Sequence, residues 1–441
     1  MASSSTSHLN AALAGAISAR KKMLVPTPDL LAPAPTAAAD FFSSDYLSVV
    51  TNPKPRAMFL ERISKEPIVL GSAGSRVLFG NNSSHVALEE RLRAFFGAET
   101  ALLFNSGYDA NLSFFHSVPQ DGDAIVFDQL AHASIRDGMN MSRCRNAQYP
   151  FKHNSVASFR EVLQRTLVSH PRIAEGRGTM FIAVETLYSM DGDFCPLRQI
   201  VETVEELVPK GCAHIMVDEA HSSGLYGDRR RGLVIELGLQ DRVHSVLHAF
   251  SKAWGMAGAV ILTSAVVRQY LIGYSRPFIY STSLPFAQTA GINTCIDFLS
   301  GPDGDELVNH LRKLCTYFEH ALTVAFRDVP SDLLSLRHRS IPSDYPESVF
   351  SPLFPILTRA PKPLGDFLTN LGYALTPIMF PAVPKGEERL RVILHAGNTE
   401  ADVDQFIARL LAWAALFQAQ EREQLQLKKA SRAQGAIQAR L

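Results

Sequence analysis

Lys252 is the residue of this sequence best placed to act as a nucleophilic amine. It lies in residues 248–255 (HAFSKAWG), directly after the apolar run at residues 243–247. Partial burial at a strand end lowers the pKa of a lysine and leaves more of its amine neutral. A neutral amine can form an imine with a carbonyl cofactor. The alternative is an ordinary solvated lysine in a glycine-containing turn.

A carboxylate and an imidazole follow another apolar run. Asp218 comes directly after residues 214–217, and His221 is three residues further on. Open parallel sheets bind ligands at the carboxyl ends of their strands, where a carboxylate can pair with a protonated pyridine nitrogen. That pairing keeps the ring cationic and able to accept electrons from a carbanion. A helix cap would also explain a lone Asp.

Two more apolar runs end in residues suited to a flat, phosphorylated ligand. Residues 105–108 (NSGY) precede a helical stretch, so free backbone amides would face an anion there. His132 follows the other run, and its ring could stack on a planar cofactor. A core histidine with satisfied hydrogen bonds is the alternative for His132.

These residues need a scaffold that gathers several strand ends. From about residue 86 to residue 299, helical periods alternate with short apolar runs, which predicts a mainly parallel sheet wrapped by helices. The apolar runs are residues 101–104, 124–127, 180–184 and 214–217. After Gly304, a helical stretch at residues 306–326 precedes strand-like residues and a last helix, which predicts a smaller α+β domain. The strand-like residues are 354–357 and 390–394.

We therefore expect an α/β protein with a large and a small domain. The predicted segments are residues 1–60 (helix and linker), 61–303 (large cofactor-binding domain), 304–417 (small C-terminal domain) and 418–441 (polar tail).

The composition favours a small-molecule substrate. The 43 Lys and Arg residues balance 43 Asp and Glu residues, so no net charge attracts nucleic acid or an anionic membrane surface. No apolar run approaches the roughly 20 residues that a membrane-spanning helix needs. The 5 cysteines are scattered without metal-ligand spacing, which favours a reducing compartment and predicts no metal site.

Taken together, these segments resemble the α-oxoamine synthases, a fold-type-I pyridoxal-phosphate family with an aspartate aminotransferase-like fold. The resemblance runs in order from about residue 9 to residue 417. The motifs that carry it are residues 71–76 with Gly80 and His85, 104–108, 132–134 with 137–138, 189–193, 218–222, 227–232 and 280–285. The resemblance implies a mainly parallel, seven-stranded type of sheet in the large domain.

The resemblance also implies a role for each site residue. Lys252 forms the Schiff base with pyridoxal 5′-phosphate and then acts as general base. Asp218 pairs with the pyridine nitrogen, and His132 stacks on the ring and donates to the thioester carbonyl. The other expected cofactor contacts are Ser106, Gly107, Tyr108, Ser189, His221, Ser251 and, from the second subunit of a homodimer, Thr282. The expected substrate contacts are Arg391, which pairs with the amino acid's carboxylate, Ser44 and Arg20.

Three positions depart from the family pattern, one of them Ala73, where many relatives have Gly. The family's phosphate-binding Thr is replaced by Ala249, so Ser251 or His248 has to compensate for the missing hydroxyl. Ser44 stands where the family has a substrate-contacting Asn, which bears on the identity of the substrate.

The reaction implied by the resemblance joins an amino acid to an acyl-CoA with loss of coenzyme A and carbon dioxide. We expect L-alanine and pimeloyl-CoA, which give 8-amino-7-oxononanoate for biotin synthesis. One alternative is a related synthase of secondary metabolism that uses a polyketide or fatty acyl thioester. Others are an aminotransferase and a noncatalytic partner subunit; the presence of Lys252 argues against the last.

The two termini resemble targeting segments. Ala439-Arg440-Leu441 matches the pattern of a peroxisomal address read by an import receptor, so we expect a peroxisomal protein, with the cytoplasm as the alternative. Residues 1–22 superficially resemble a mitochondrial presequence, and we interpret them as an amphipathic helix.

Overall fold

The computed structural model describes residues 8–22, 39–380 and 382–438, with side chains for residues 8–19, 39–380 and 382–431. Most of the predicted linker, the Arg20 side chain and the tripeptide Ala439-Arg440-Leu441 lie outside the described residues. The peroxisomal address therefore stays a prediction. The domain boundaries also stay predictions.

The larger of two sheets carries the predicted strand ends. Its strands are β1 (Thr100–Phe104), β2 (Ala124–Asp128), β3 (Gln148–Phe151), β4 (Met180–Glu185), β5 (Ala213–Asp218), β6 (Ser245–Ala249) and β7 (Ala259–Thr263). Their order is β1-β7-β6-β5-β4-β2-β3. Among these seven described strands, only β7 is antiparallel to its neighbours, β1 and β6. The mainly parallel sheet of a fold-type-I enzyme is confirmed.

Helices cover both faces of this large sheet. The helices are α1 (His8–Lys22), α2 (Pro53–Ser64), α3 (Ser83–Phe96), α4 (Gly107–Ser117), α5 (Ala133–Asn140), α6 (Val156–Ser169), α7 (Pro171–Ala174), α8 (Leu197–Leu207), α9 (Leu233–Glu236), α10 (Ala265–Tyr274), α11 (Arg276–Tyr280), α12 (Phe286–Leu299), α13 (Pro302–Ala325), α14 (Pro361–Asn370) and α15 (Glu400–Gln438). A parallel sheet buried on both faces needs strands that are apolar along their length. Strand β1 fits, because Leu102 and Phe104 pack into one hydrophobic cluster while Ala101 and Leu103 pack into the other.

A smaller antiparallel sheet follows, as predicted. Its strands are β8 (Ser335–Leu336), β9 (Leu353–Leu357), β10 (Pro377–Ile378) and β11 (Arg389–Ile393), in the order β10-β11-β9-β8. Helix α13 begins before the predicted residue 306, at Pro302, where the fixed φ of proline suits the first helical position.

The two ends of the described chain are helical and exposed. Helix α1 presents Leu9, Leu13 and Ile17 on its surface. Helix α15 continues through Gln438, so the polar segment from residue 418 is part of a helix. None of the described helices has the length and apolar character that a membrane span requires. The five cysteines are buried and unpaired.

Candidate active site

The carboxyl ends of β1, β2, β4, β5 and β6 lie along one edge of the large sheet, because these strands run in the same direction. The predicted site residues follow those ends: Ser106 after β1, His132 after β2, Ser189 after β4, Asp218 at the end of β5 and Lys252 after β6. The edge of an open sheet where strands end is where ligands bind in this architecture.

A chain of hydrogen bonds joins Asp218 to His132. The Asn111 side-chain amide donates to Asp218 Oδ2 at 2.7 Å and to Ser134 Oγ at 3.1 Å. Ser134 Oγ in turn lies 2.7 Å from His132 Nδ1. Asn111 was not identified from the sequence; the available signal is an amide side chain on the apolar face of α4.

A backbone hydrogen bond from Ser134 determines the tautomer of His132. The backbone N–H of Ser134 donates to His132 Nδ1 at 3.2 Å, so Nδ1 is an acceptor and the neutral ring carries its proton on Nε2. Partial desolvation lowers the pKa of His132, although Asp218 acts in the opposite direction. His132 is thus a neutral imidazole that can donate from Nε2.

His221 is held by a residue that the sequence had not singled out. Tyr46 Oη lies 2.6 Å from His221 Nδ1, and both side chains are buried. Desolvation raises the pKa of Tyr46, which keeps its hydroxyl a donor. Desolvation also lowers the pKa of His221 well below its ordinary value. Ser44 adds a hydrogen bond to the Tyr46 hydroxyl, so its side chain supports His221 indirectly.

The Lys252 amine is half-buried beside two acidic residues. Burial lowers the pKa of this amine; Asp218 and Glu185 oppose the shift, and Arg391 adds to it. Burial, reinforced by Asp218, raises the pKa of Glu185 well above its ordinary range. Glu185 Oε1 accepts the backbone N–H of His132 at 2.7 Å.

Strand β11 of the small sheet brings Arg391 to the same edge. Its Nη1 lies 3.4 Å from the Ser189 carbonyl oxygen, and its Nε is buried without a hydrogen-bond partner among the described residues. Desolvation lowers the pKa of this guanidinium. A planar donor with unused hydrogens is suited to a carboxylate.

Residues 105–108, at the start of α4, form the predicted anion-binding turn, called the cup below. Ser106 caps the helix by accepting the Asp109 N–H at 3.0 Å, and the Tyr108 hydroxyl donates to Asp137. A Cβ on Gly107 would lie 3.2 Å from the Ala249 Cβ, which is a tight contact. The lack of a side chain at Gly107 therefore allows the cup to lie this close to β6.

His248 does not contribute to this cup, contrary to one of the two expectations for the missing hydroxyl. Successive side chains of a strand point to opposite faces, and it is Ala249 that faces Gly107. The His248 ring instead stacks on Phe96 with centroids 4.0 Å apart. Ser251 is exposed after β6, and its proposed phosphate contact stays a prediction.

Two further expectations concern neighbouring segments. The Thr282 carbonyl accepts a hydrogen bond from Asn105 at 2.7 Å, which places the exposed Thr282 beside the cup of its own chain. Its role across a subunit interface stays a prediction. The side chain of Arg20 lies outside the described residues.

A cavity of about 650 Å³ opens beside the site. His132, Glu185 and Ser189 form its inner wall, and Phe380 and Val383 form an apolar wall. It is large enough to admit an acyl chain to the edge where Lys252 lies.

A nearby cluster of possible metal ligands is occupied by ion pairs. Oxygen and nitrogen atoms of His153, Asp191 and Asp193 lie within 4.8 Å of one another. His153 bonds to Asp193 at 3.0 Å and to Asp128 at 2.8 Å, while Asp191 pairs with Arg389.

The large sheet and its strand-end residues define a fold-type-I pyridoxal-phosphate enzyme. The residues present fit that cofactor, because a glycine-lined anion cup, a buried carboxyl group and a half-buried lysine lie along one sheet edge.

Comparison with known proteins defines the class more narrowly. Residues 43–410 match the family model for aminotransferase class I and II. The 8-amino-7-oxononanoate synthase of Emericella nidulans is 40% identical over 382 residues, 86% of this chain and 90% of the relative. The aminoacyl transferase sphA of Aspergillus fumigatus is 38% identical over 384 residues, 86% of this chain and 81% of the relative. A Sphingomonas wittichii serine palmitoyltransferase structure has a TM-score of 0.75 at 26% identity, over 94% of this chain and 99% of that one. The chain belongs to the aminotransferase class I and II family and, within it, to the α-oxoamine synthases, which are pyridoxal-phosphate-dependent acyltransferases.

Proposed function

We propose that the protein condenses L-alanine with pimeloyl-CoA, releasing coenzyme A and carbon dioxide and forming 8-amino-7-oxononanoate. The observation that carries this proposal is the electrostatic interaction of Lys252 with both Arg391 and His132, together with the position of His132 in the wall of the cavity. The 40% identity to a synthase of that product supports the choice of substrates.

Each of these side chains has a task in the proposed reaction. Arg391 binds the carboxylate of the amino acid through its unused N–H groups. Lys252 Nζ removes the proton from the α-carbon, and its lowered pKa favours the neutral amine that this requires. His132 donates from Nε2 to the thioester carbonyl oxygen, where negative charge develops.

The cofactor contacts are proposed on the same geometry. Pyridoxal phosphate, when bound, supplies an aldehyde for the substrate amine and a ring that withdraws electrons from the α-carbon. The backbone amides of Gly107 and Tyr108 and the hydroxyl groups of Ser106 and Ser251 hold the phosphate. Asp218 holds the proton of the ring nitrogen.

Three further residues are proposed to contact the cofactor ring. His132 stacks on the ring, and Ser189 and His221 contact the side of the ring that carries its oxygen. Tyr46 positions His221 through the bond to Nδ1.

A second candidate is a synthase of secondary metabolism that uses a longer or carrier-bound acyl thioester. The 38% identity to an aminoacyl transferase favours it, as do the departures at Ser44 and Ala249. Lys252 and His132 have the same roles in both candidate functions. The two functions differ in the acyl group that the cavity would bind.

Release of coenzyme A distinguishes the two candidates. The cofactor-loaded protein is given alanine, glycine or serine with pimeloyl-CoA, heptanoyl-CoA or palmitoyl-CoA, and Lys252→Ala serves as the inactive control. We expect the highest kcat/KM with alanine and pimeloyl-CoA. A preference for palmitoyl-CoA would support the second candidate, and no release with any pair would refute the first.

A further inference from the structure

Arg136 places a positive charge on the wall of the candidate substrate cavity. Its side chain lines the cavity together with His132, Glu185 and Ser189, and it is exposed. Within the described part of the chain, no hydrogen bond or ion pair engages its guanidinium. An arginine remains charged at any physiological pH, so this charge is permanent.

None of the described acidic groups on the same wall forms an ion pair with Arg136. Asp137 accepts the Tyr108 hydroxyl, and Asp191 pairs with Arg389. Burial raises the pKa of Glu185 well above its ordinary value. A guanidinium that lines the candidate substrate cavity and has no ion-pair partner among the described residues is suited to an anionic group of the substrate.

The position of Arg136 distinguishes among the anions of the substrates. Arg391 already serves the amino acid's carboxylate. Arg136 lies in the first turns of α5, four residues after His132, which is the N-cap of that helix. Four helical residues rise about 6 Å along the axis. If His132 donates to the thioester carbonyl as proposed above, Arg136 lines the same cavity about one helical turn away from that carbonyl.

The chemistry of an acyl chain fits this distance. A seven-carbon chain extends about 8 Å at roughly 1.3 Å per bond, from the thioester carbonyl to its far end. The apolar wall at Phe380 and Val383 suits the methylene groups between. The phosphates of coenzyme A lie at the other end of the pantetheine arm, many bonds beyond the sulfur.

We propose that Arg136 is a specificity-determining residue that binds the distal carboxylate of a dicarboxylic acyl-CoA. This inference rests on the proposed function and deepens it, because it explains how pimeloyl-CoA is selected over a fatty acyl-CoA of equal carbon number. The guanidinium supplies a bidentate contact that a methyl terminus cannot use.

Arg136→Met tests the proposal by comparing two thioesters that differ in the terminal group. With alanine saturating, we expect KM for pimeloyl-CoA to rise roughly tenfold to a hundredfold, the loss of one charge-assisted hydrogen-bonded contact. KM for heptanoyl-CoA, which has no distal carboxylate, is expected to change less than about threefold. Arg136→Lys should retain part of the preference, because the charge remains.

A binding measurement separates recognition from turnover. Free pimelate is titrated into the cofactor-loaded protein by calorimetry, and we expect Arg136→Met to weaken its binding by about tenfold or more. Arg145→Met is the matched control, since Arg145 is exposed and outside the cavity lining. It is expected to leave both thioesters and pimelate unaffected.

The outcomes distinguish failure of this inference from failure of the proposed function. If the unaltered protein releases no coenzyme A from pimeloyl-CoA, the proposed function fails, and the inference fails with it. If it does, but Arg136→Met raises KM equally for both thioesters, the residue binds the coenzyme A moiety and the inference alone is wrong. The inference is equally wrong if Arg136→Met changes neither value.

Discussion

Asn111 is a positioning residue, because its one amide group holds both Asp218 and, through Ser134, His132. Replacing it by Ala would leave two buried acceptors without their donor, at a cost of about 1–3 kcal/mol. We expect Asn111→Ala to lower kcat roughly tenfold to a hundredfold, with a smaller change in KM.

Absorbance of the bound cofactor provides the second measurement for Asn111→Ala. A shift of its pH-dependent spectrum is expected, since Asp218 is the residue proposed at the ring nitrogen. Asn370→Ala, at the exposed end of α14, is the control and should change neither measurement. An unaltered kcat and spectrum in Asn111→Ala would mean that the amide only fills space.

His153 makes stability depend on pH. Burial alone would lower its pKa, but hydrogen bonds to Asp128 and Asp193 raise it from 6.5 to about 9. A pKa raised in the folded state stabilises the protein fully below about pH 6.5, and this contribution is lost as the pH rises toward 9. The ion pairs link the end of β2 to the loop before α8.

His153→Gln removes that contribution. We expect the melting temperature of the variant to be several degrees lower than that of the unaltered protein at pH 6.5, because breaking a buried ion pair costs about 3–5 kcal/mol. The difference should shrink as the pH approaches 9.5, where the histidine is neutral in both states. A difference that is constant across this pH range would show that the ring contributes packing and no charge. Differential scanning calorimetry at matched ionic strength measures it.

The sequence predicts a helix or strand correctly where the local pattern of apolar residues determines it. Strands β4 and β5 consist mostly of apolar residues, and the sequence predicted their bounds to within one residue. Strand β3 was missed, since its four residues include a proline and are only partly buried. Strand β7 was missed because its apolar run continues into α10. The bond from Asn111 to Asp218 spans 107 residues and depends on how α4 packs, which no local pattern encodes.

The start of α4 lies close to β6 at Gly107. A Cβ at Gly107 would lie 3.2 Å from the Ala249 Cβ and 3.9 Å from Leu247 Cδ2, so Gly107→Ala has to push the cup away from β6. We expect the dissociation constant for pyridoxal phosphate to rise roughly fivefold to thirtyfold. Equilibrium dialysis measures it. Gly273→Ala on α10, where a Cβ meets nothing within 4 Å, is the control; equal effects of both variants would contradict this reading of the cup.

At the scale of the whole molecule, an exposed apolar surface adjoins the site. Phe79 is 100% exposed, Leu70 82% and Tyr280 68%, values unusual for large apolar side chains outside an interface. Backbone hydrogen bonds from Ser283 to Gly74 and from Phe286 to Leu70 join this surface to the segment that carries Thr282. We therefore expect a homodimer in which this surface is covered and Thr282 reaches the phosphate of the other subunit.

Mixed dimers test that arrangement. If each site combines Lys252 of one subunit with Thr282 of the other, a dimer of one Lys252→Ala chain and one Thr282→Ala chain has one site with both changes and one with neither. Random assembly of equal amounts makes half of the dimers mixed, so about a quarter of the sites are intact. We expect kcat/KM per site to recover toward a quarter of the unaltered value, above the mean of the two parent variants. If Thr282 serves its own chain, no site in the mixed dimer is intact, and activity stays at that mean.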